Sequence, residues 1–96
     1  MSESIAALDD VREYTVFTSD IDLTDADGGA TGGSPLGRHA RWIRIIDAGS
    51  GTLAVVMTSC DGTTRTLTGC LNGDEICGKF LTIKLATDVA KLWVGW

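Results

Sequence analysis

From Tyr14 onward this chain carries no apolar pattern of helical period long enough for a helix of ten residues. That one property removes most fold classes. In place of helices stand short segments with strand character. YTVFT is β-branched and aromatic. RHARWIRIID alternates, with Arg41, Ile43 and Ile45 on one face and Trp42, Arg44 and Ile46 on the other. TLAVVMTS is a continuous apolar run of strand length, and TTRTLTGC sets threonines against Arg65, Leu67 and Gly69. EICGKFLTIKLAT is long for one strand, and Gly78 predicts a bulge or bend inside it. KLWVGW is the last such segment.

The punctuation between these segments agrees. Asp61-Gly62 and Asn72-Gly73 are both hairpin signals, because a tight turn of this kind needs positive φ at its central residues. Asp47-Ala-Gly-Ser-Gly51 predicts a looser turn. Strands at short intervals with turn chemistry between them predict an all-β sandwich or barrel. A chain of 96 residues has room for one core, and 44% hydrophobic against 22% charged residues makes it a globular domain. We expect the domain to span 14–96, behind an N-terminal arm of residues 1–13. In that arm Ile5, Leu8 and Val11 recur at helical spacing, which predicts a short helix or an arm that orders on a partner.

DIDLTDADGGATGG, residues 20–33, has the look of a metal loop, with Asp20, Asp22, Asp25 and Asp27 ahead of paired glycines. A calcium loop of the EF-hand type needs acids at positions 1, 3 and 5, glycine at 6 and glutamate at 12. Starting at Asp20, position 5 is Thr24, position 6 is Asp25 and position 12 is Thr31. The spacing fails, so we expect no metal and a long surface loop that reaches a neighbouring subunit. A weak, solvent-exposed calcium site is the competing reading. Cys60, Cys70 and Cys77 lack zinc or CxxC spacing. We expect three reduced thiols packed as small apolar side chains, with a Cys70–Cys77 bridge across the intervening turn as the alternative.

Catalytic constellations are thin. His39 is the single histidine, no serine sits in a GxSxG elbow, and GGATGGSPLGR lacks the lysine and the following helix of a phosphate-binding loop. We therefore expect no enzyme, no catalytic residue and no cofactor. A net charge of −5 opposes binding to nucleic acid or to anionic membranes. No run of eighteen apolar residues is available to span a bilayer. MSESIAALDD lacks the basic region and apolar core of a secretory signal, so synthesis in the cytoplasm is expected. Arg38, Arg41, Arg44 and Trp42 form a basic, aromatic strand that suits either nucleic acid or an acidic neighbour; the net charge favours the neighbour. Trp93 and Trp96 could stack on sugar rings, or could close a small core.

The order of these parts resembles the small head spike base proteins of tailed phages and gene transfer agents. The parts that carry the resemblance are ARWIRIIDAGSG, TLAVVMTSCDGTTRTLTGC, KFLTIKLATDV and AKLWVGW, running from an N-terminal arm and acidic loop to a strand ending in an aromatic. The chain departs from that pattern in its longer loop with Gly28, Gly29, Gly32 and Gly33, in its three cysteines, and in LNGDEICG. The resemblance implies a small antiparallel β-sandwich of jelly-roll type. It implies a non-enzymatic virion component, made in the host cytoplasm and placed on the capsid surface. Its partners would be copies of itself, the major capsid protein and a spike or fibre protein. A mean hydropathy of +0.15 fits a small domain that buries apolar surface against other chains. Candidate interface residues are Ile5, Leu8 and Val11 of the arm, Arg38, Arg41, Trp42 and Arg44 of the basic strand, and the loop aspartates 20, 22, 25 and 27. The alternatives are a small sandwich that binds host-surface glycans through Trp93 and Trp96, and a tail or baseplate component.

Overall fold

The structure is a computed structural model that describes residues 8, 10–15, 17, 20–24, 39–58 and 62–96. It is all-β. Seven strands make one antiparallel sheet: β1 (Val11–Tyr14), β2 (Ile21–Asp22), β3 (Ala40–Asp47), β4 (Leu53–Met57), β5 (Thr64–Leu67), β6 (Glu75–Ile83) and β7 (Lys91–Gly95). The order across the sheet is β1-β7-β3-β6-β4-β5, and β2 joins the far half of β6. Among the described residues there is no α-helix.

The long strand β6 shapes the whole. Its first half pairs with β3, from Glu75 opposite Arg44 to Phe80 opposite Ala40. Its second half pairs with β4 on one edge and with β2 on the other. The β3 register slips between Ala40 and Trp42, opposite Gly78 and Lys79, where a bulge is expected from the glycine. A second slip falls between Val56 and Met57, opposite Leu81. Bulges bend a strand and increase its twist, so β6 can serve two differently inclined parts of the sheet.

The core shows the resulting curl. Leu53 and Val55 of β4 share one buried cluster with Leu92 and Val94 of β7, together with Ile43, Ile45, Phe80, Ile83 and Trp96. In a flat sheet β4 and β7 would lie three strand spacings apart, about 14 Å, with no common filling. The molecule instead measures 30 × 29 × 27 Å, which requires the sheet to fold over on itself. Both β3 and β4 bury apolar residues on both faces: Trp42 as well as Ile43 and Ile45 in β3, and Leu53 through Val56 in the continuous apolar run of β4.

Two turns interlock at one end of the sheet. Gly51 donates to Ala48 O at 2.7 Å, Cys70 donates to Gly51 O at 3.0 Å, and Gly73 donates to Ile45 O at 2.6 Å. Gly51 has φ +78°, and a β-carbon there would stand 2.9 Å from Cys70 O, so both its backbone angle and the close approach call for glycine.

Several expectations need correction. Val11 is the first residue of a strand paired with Gly95, so the sheet begins inside the 1–13 segment. Among the described residues of YTVFT, Tyr14 lies in a strand and Thr15 and Phe17 are irregular. Asn72-Gly73 makes a turn, but it does not join a hairpin: β5 pairs with β4, and β6 pairs with β2, β3 and β4. The hairpin expected around Gly62 does form, between β4 and β5, although Asp61 lies outside the described residues.

Candidate functional site

Three surfaces can be built from the residues upward. The first is the outer face of β1, β7, β3 and β6. Cross-strand partners share a face. The register therefore aligns Glu13, Trp93, Arg44 and Glu75 in one row, and Val11, Gly95, Trp42 and Cys77 in the next. In the first row Trp93 donates its indole N–H to Glu13 Oε1 at 3.1 Å, Lys91 stands 4.0 Å from the same oxygen, and Arg44 lies 3.7 Å from Glu75 Oε1. In the second row Gly95 leaves a notch. A β-carbon there would overlap Leu8 Cδ1 and stand 3.1 Å from the Trp42 ring, so Leu8 fills the place that any larger residue would occupy. Trp42 is 2% exposed, and its indole N–H reaches Glu75 Oε2 at 3.4 Å.

The second surface is the start of the aspartate stretch. It is more ordered than a surface loop. Ile21 and Asp22 form β2, and Ile21 and Leu23 are core residues. Asp20 accepts from Lys84 Nζ at 2.6 Å and from the Leu85 N–H at 2.9 Å. These two donors, Lys84 first, hold its carboxyl below the usual aspartate range. Asp22 Oδ1 accepts from the backbone and hydroxyl of Thr24 at 2.9 and 2.7 Å, a local turn of the kind aspartate favours.

The third surface is the outer margin of β4 and β5. All four residues of β5 are exposed, and among the described residues no strand pairs with its outer edge. Leu67 and Leu71 are exposed beside it.

These positions revise the candidate list. Ile5, Arg38, Asp25 and Asp27 lie outside the described residues. Leu8 and Trp42 come together, but as a packed pair within one chain. Trp42 is buried, so it presents no aromatic face to a partner. Arg41 is half-buried on the neighbouring position of the strand. Arg44 finds its acid in Glu75 and Asp20 finds its base in Lys84, both within the same copy. Trp96 is 0% exposed and donates its indole N–H to Leu23 O at 2.9 Å, whereas Trp93 lies half-buried on the outer face. The shared stacking face needed for glycan binding by Trp93 and Trp96 is not formed.

Cys70 and Cys77 are not bridged to each other, and Cys77 is exposed rather than packed. Burial, with the charge of Asp74 behind it, raises the pKa of the Cys70 thiol. Cys60 lies outside the described residues. Among the described residues no cluster of three or more His, Cys, Asp or Glu side chains is arranged to hold a metal, and no helix is long and apolar enough to cross a membrane.

Sequence reasoning missed Glu13, Glu75 and Lys84, because their importance depends on register. The exposed β5 margin had a readable signal: residues 62–72 contain no acid and no proline, and Arg65 is their single charge. No protein-family model, no curated protein and no solved structure matches this chain.

Proposed function

We propose that this protein is a non-enzymatic structural component of a viral head, a capsid decoration or spike base protein that acts as a homo-oligomer. The observation that carries the reading is the outer margin of β5, with which no strand pairs among the described residues. An edge strand is normally protected by lysines, proline or a covering segment, and an unprotected one is a template for another chain. Here the edge carries neither proline nor lysine, and Leu67 and Leu71 are 39% and 67% exposed next to it. A 10.1 kDa domain gains stability from such association, since a small core buries a smaller share of its surface. The order of sequence parts that resembles head spike base proteins gives the viral setting.

The test is co-sedimentation with heads of the encoding phage that were assembled without this protein. Saturable binding at a fixed number of copies per head is expected. Heads that remain bare at saturating protein concentration would remove the viral reading.

A further inference from the structure

The direction of the free hydrogen-bonding groups on β5 can be worked out from its neighbour. Ala54 pairs with Thr66, and Val56 with Thr64. Ala54 spends both backbone groups on the side away from β5: its N–H goes to Thr87 Oγ1, and its carbonyl accepts from Lys84 N and from the Thr87 hydroxyl. In an antiparallel ladder, residues alternate between pairs that exchange both bonds and pairs that exchange none. Ala54–Thr66 is therefore a pair of the second kind, and so is Val56–Thr64. Leu67 and Arg65 carry the bonds to Leu53 and Val55. Thr64 and Thr66 then aim their N–H and C=O groups outward, along an edge with which no described strand pairs.

We propose that this edge pairs with itself: β5 of one copy lies antiparallel to β5 of a second copy, centred on Thr66. The sequence TTRTLT suits that register. It sets Thr66 against Thr66 of the second copy, Thr64 against Thr68, and Arg65 against Leu67. Threonines meet threonines on one face. On the other, the aliphatic stem of Arg65 lies along an exposed leucine, and the two arginines do not oppose each other. A register centred on Arg65 would place like charges directly opposite and is disfavoured. The chain carries a net charge of −5, yet no acid lies between Gly62 and Asn72, so copies approach here with the least repulsion. This names the contact by which copies associate. It rests on the oligomeric part of the proposed function and not on the viral setting.

Thr66→Pro is the discriminating variant. The N–H it removes points outward, so the bonds between β4 and β5 stay intact, and proline is tolerated on an edge strand in that position. In the pair, both central hydrogen bonds disappear, because each copy contributes one Thr66 N–H. Thr66→Lys is the second variant: residue 66 is exposed, so the fold is undisturbed, while two ammonium groups would face each other. Sedimentation velocity of the wild type should give twice 10.1 kDa. Both variants should sediment as monomers with unchanged far-ultraviolet circular dichroism. A dimer that persists in Thr66→Lys overturns the proposal, and so does a wild type of three or more chains, as expected if β5 took β1 of the next copy. A wild type that is monomeric at high concentration yet still binds heads overturns the edge pairing alone.

Discussion

Thr87 joins two parts of the fold by a single side chain, and its replacement by valine tests whether that join is energetic. The Thr87 hydroxyl accepts the Ala54 N–H at 3.0 Å and donates to Ala54 O at 3.0 Å. Thr87 is 5% exposed and Ala54 is 0% exposed, so no water replaces either bond. Valine keeps the shape and the β-branch but has no oxygen. The Ala54 carbonyl keeps its bond from Lys84 N at 2.8 Å, so the loss falls on the N–H. A buried donor left without an acceptor costs about 1–3 kcal/mol. For a domain of this size each kcal/mol lowers Tm by about 4–8 °C, so a loss of ~2 kcal/mol predicts a fall of about 8–16 °C. Thr87→Ser keeps the oxygen and loses one methyl group, worth about 0.8 kcal/mol, so its Tm should fall by about 3–6 °C, less than half as much. Thermal unfolding followed by calorimetry, at one protein concentration for all three proteins, reads the difference. A valine variant within a degree or two of wild type, or a serine variant as unstable as the valine one, would refute this account of the bond.

Two further predictions follow from the outer face and the aspartate clasp. Gly95→Ala drives a β-carbon into the space of Leu8 and toward the Trp42 ring, and overpacking of this kind costs about 1–3 kcal/mol; adding Leu8→Ala should recover part of the loss, and urea titrations showing strictly additive effects would exclude the contact. Asp20 has a depressed carboxyl pKa in the folded state, so its stabilisation is present above the unfolded value near 3.8 and is lost as pH falls through the lower folded value. Asp20→Asn should therefore be less stable than wild type at pH 7, with the gap closing below pH 3.8; a gap that is absent at pH 7, or that persists unchanged at pH 2, would show that the Lys84 and Leu85 contacts do not stabilise the fold.

The strand content was legible because it is a local property. Alternation in RWIRIID, the apolar run LAVVM and the glycine in EICGKF each describe what a short segment can do on its own, and the structure keeps all three. The register was not legible, and most of the candidate site depended on it. Arg44 is paired because Glu75 stands opposite it on β6, 31 positions away by number (75 − 44), and Asp20 because Lys84 follows β6 (84 − 20 = 64). Val11 looked like part of a helical stripe, since spacings of three suit a helix; the open edge of β7 captured it as a strand. Trp96 alternates with Leu92 and Val94 as a buried face would, and it is buried; what the sequence did not show is that Leu23 O accepts its indole N–H.

By itself, then, the sequence determined an antiparallel all-β domain, a bulge or bend at Gly78, and a strand segment around Thr66 free of acids and proline. Those follow from side-chain period, backbone freedom and composition, which need no knowledge of what lies opposite. Only the tertiary structure decided which charges are already paired, which tryptophan is buried and which backbone groups of β5 point outward. Each of those is set by the strand lying alongside, and in this fold the strand alongside is often far away in the chain.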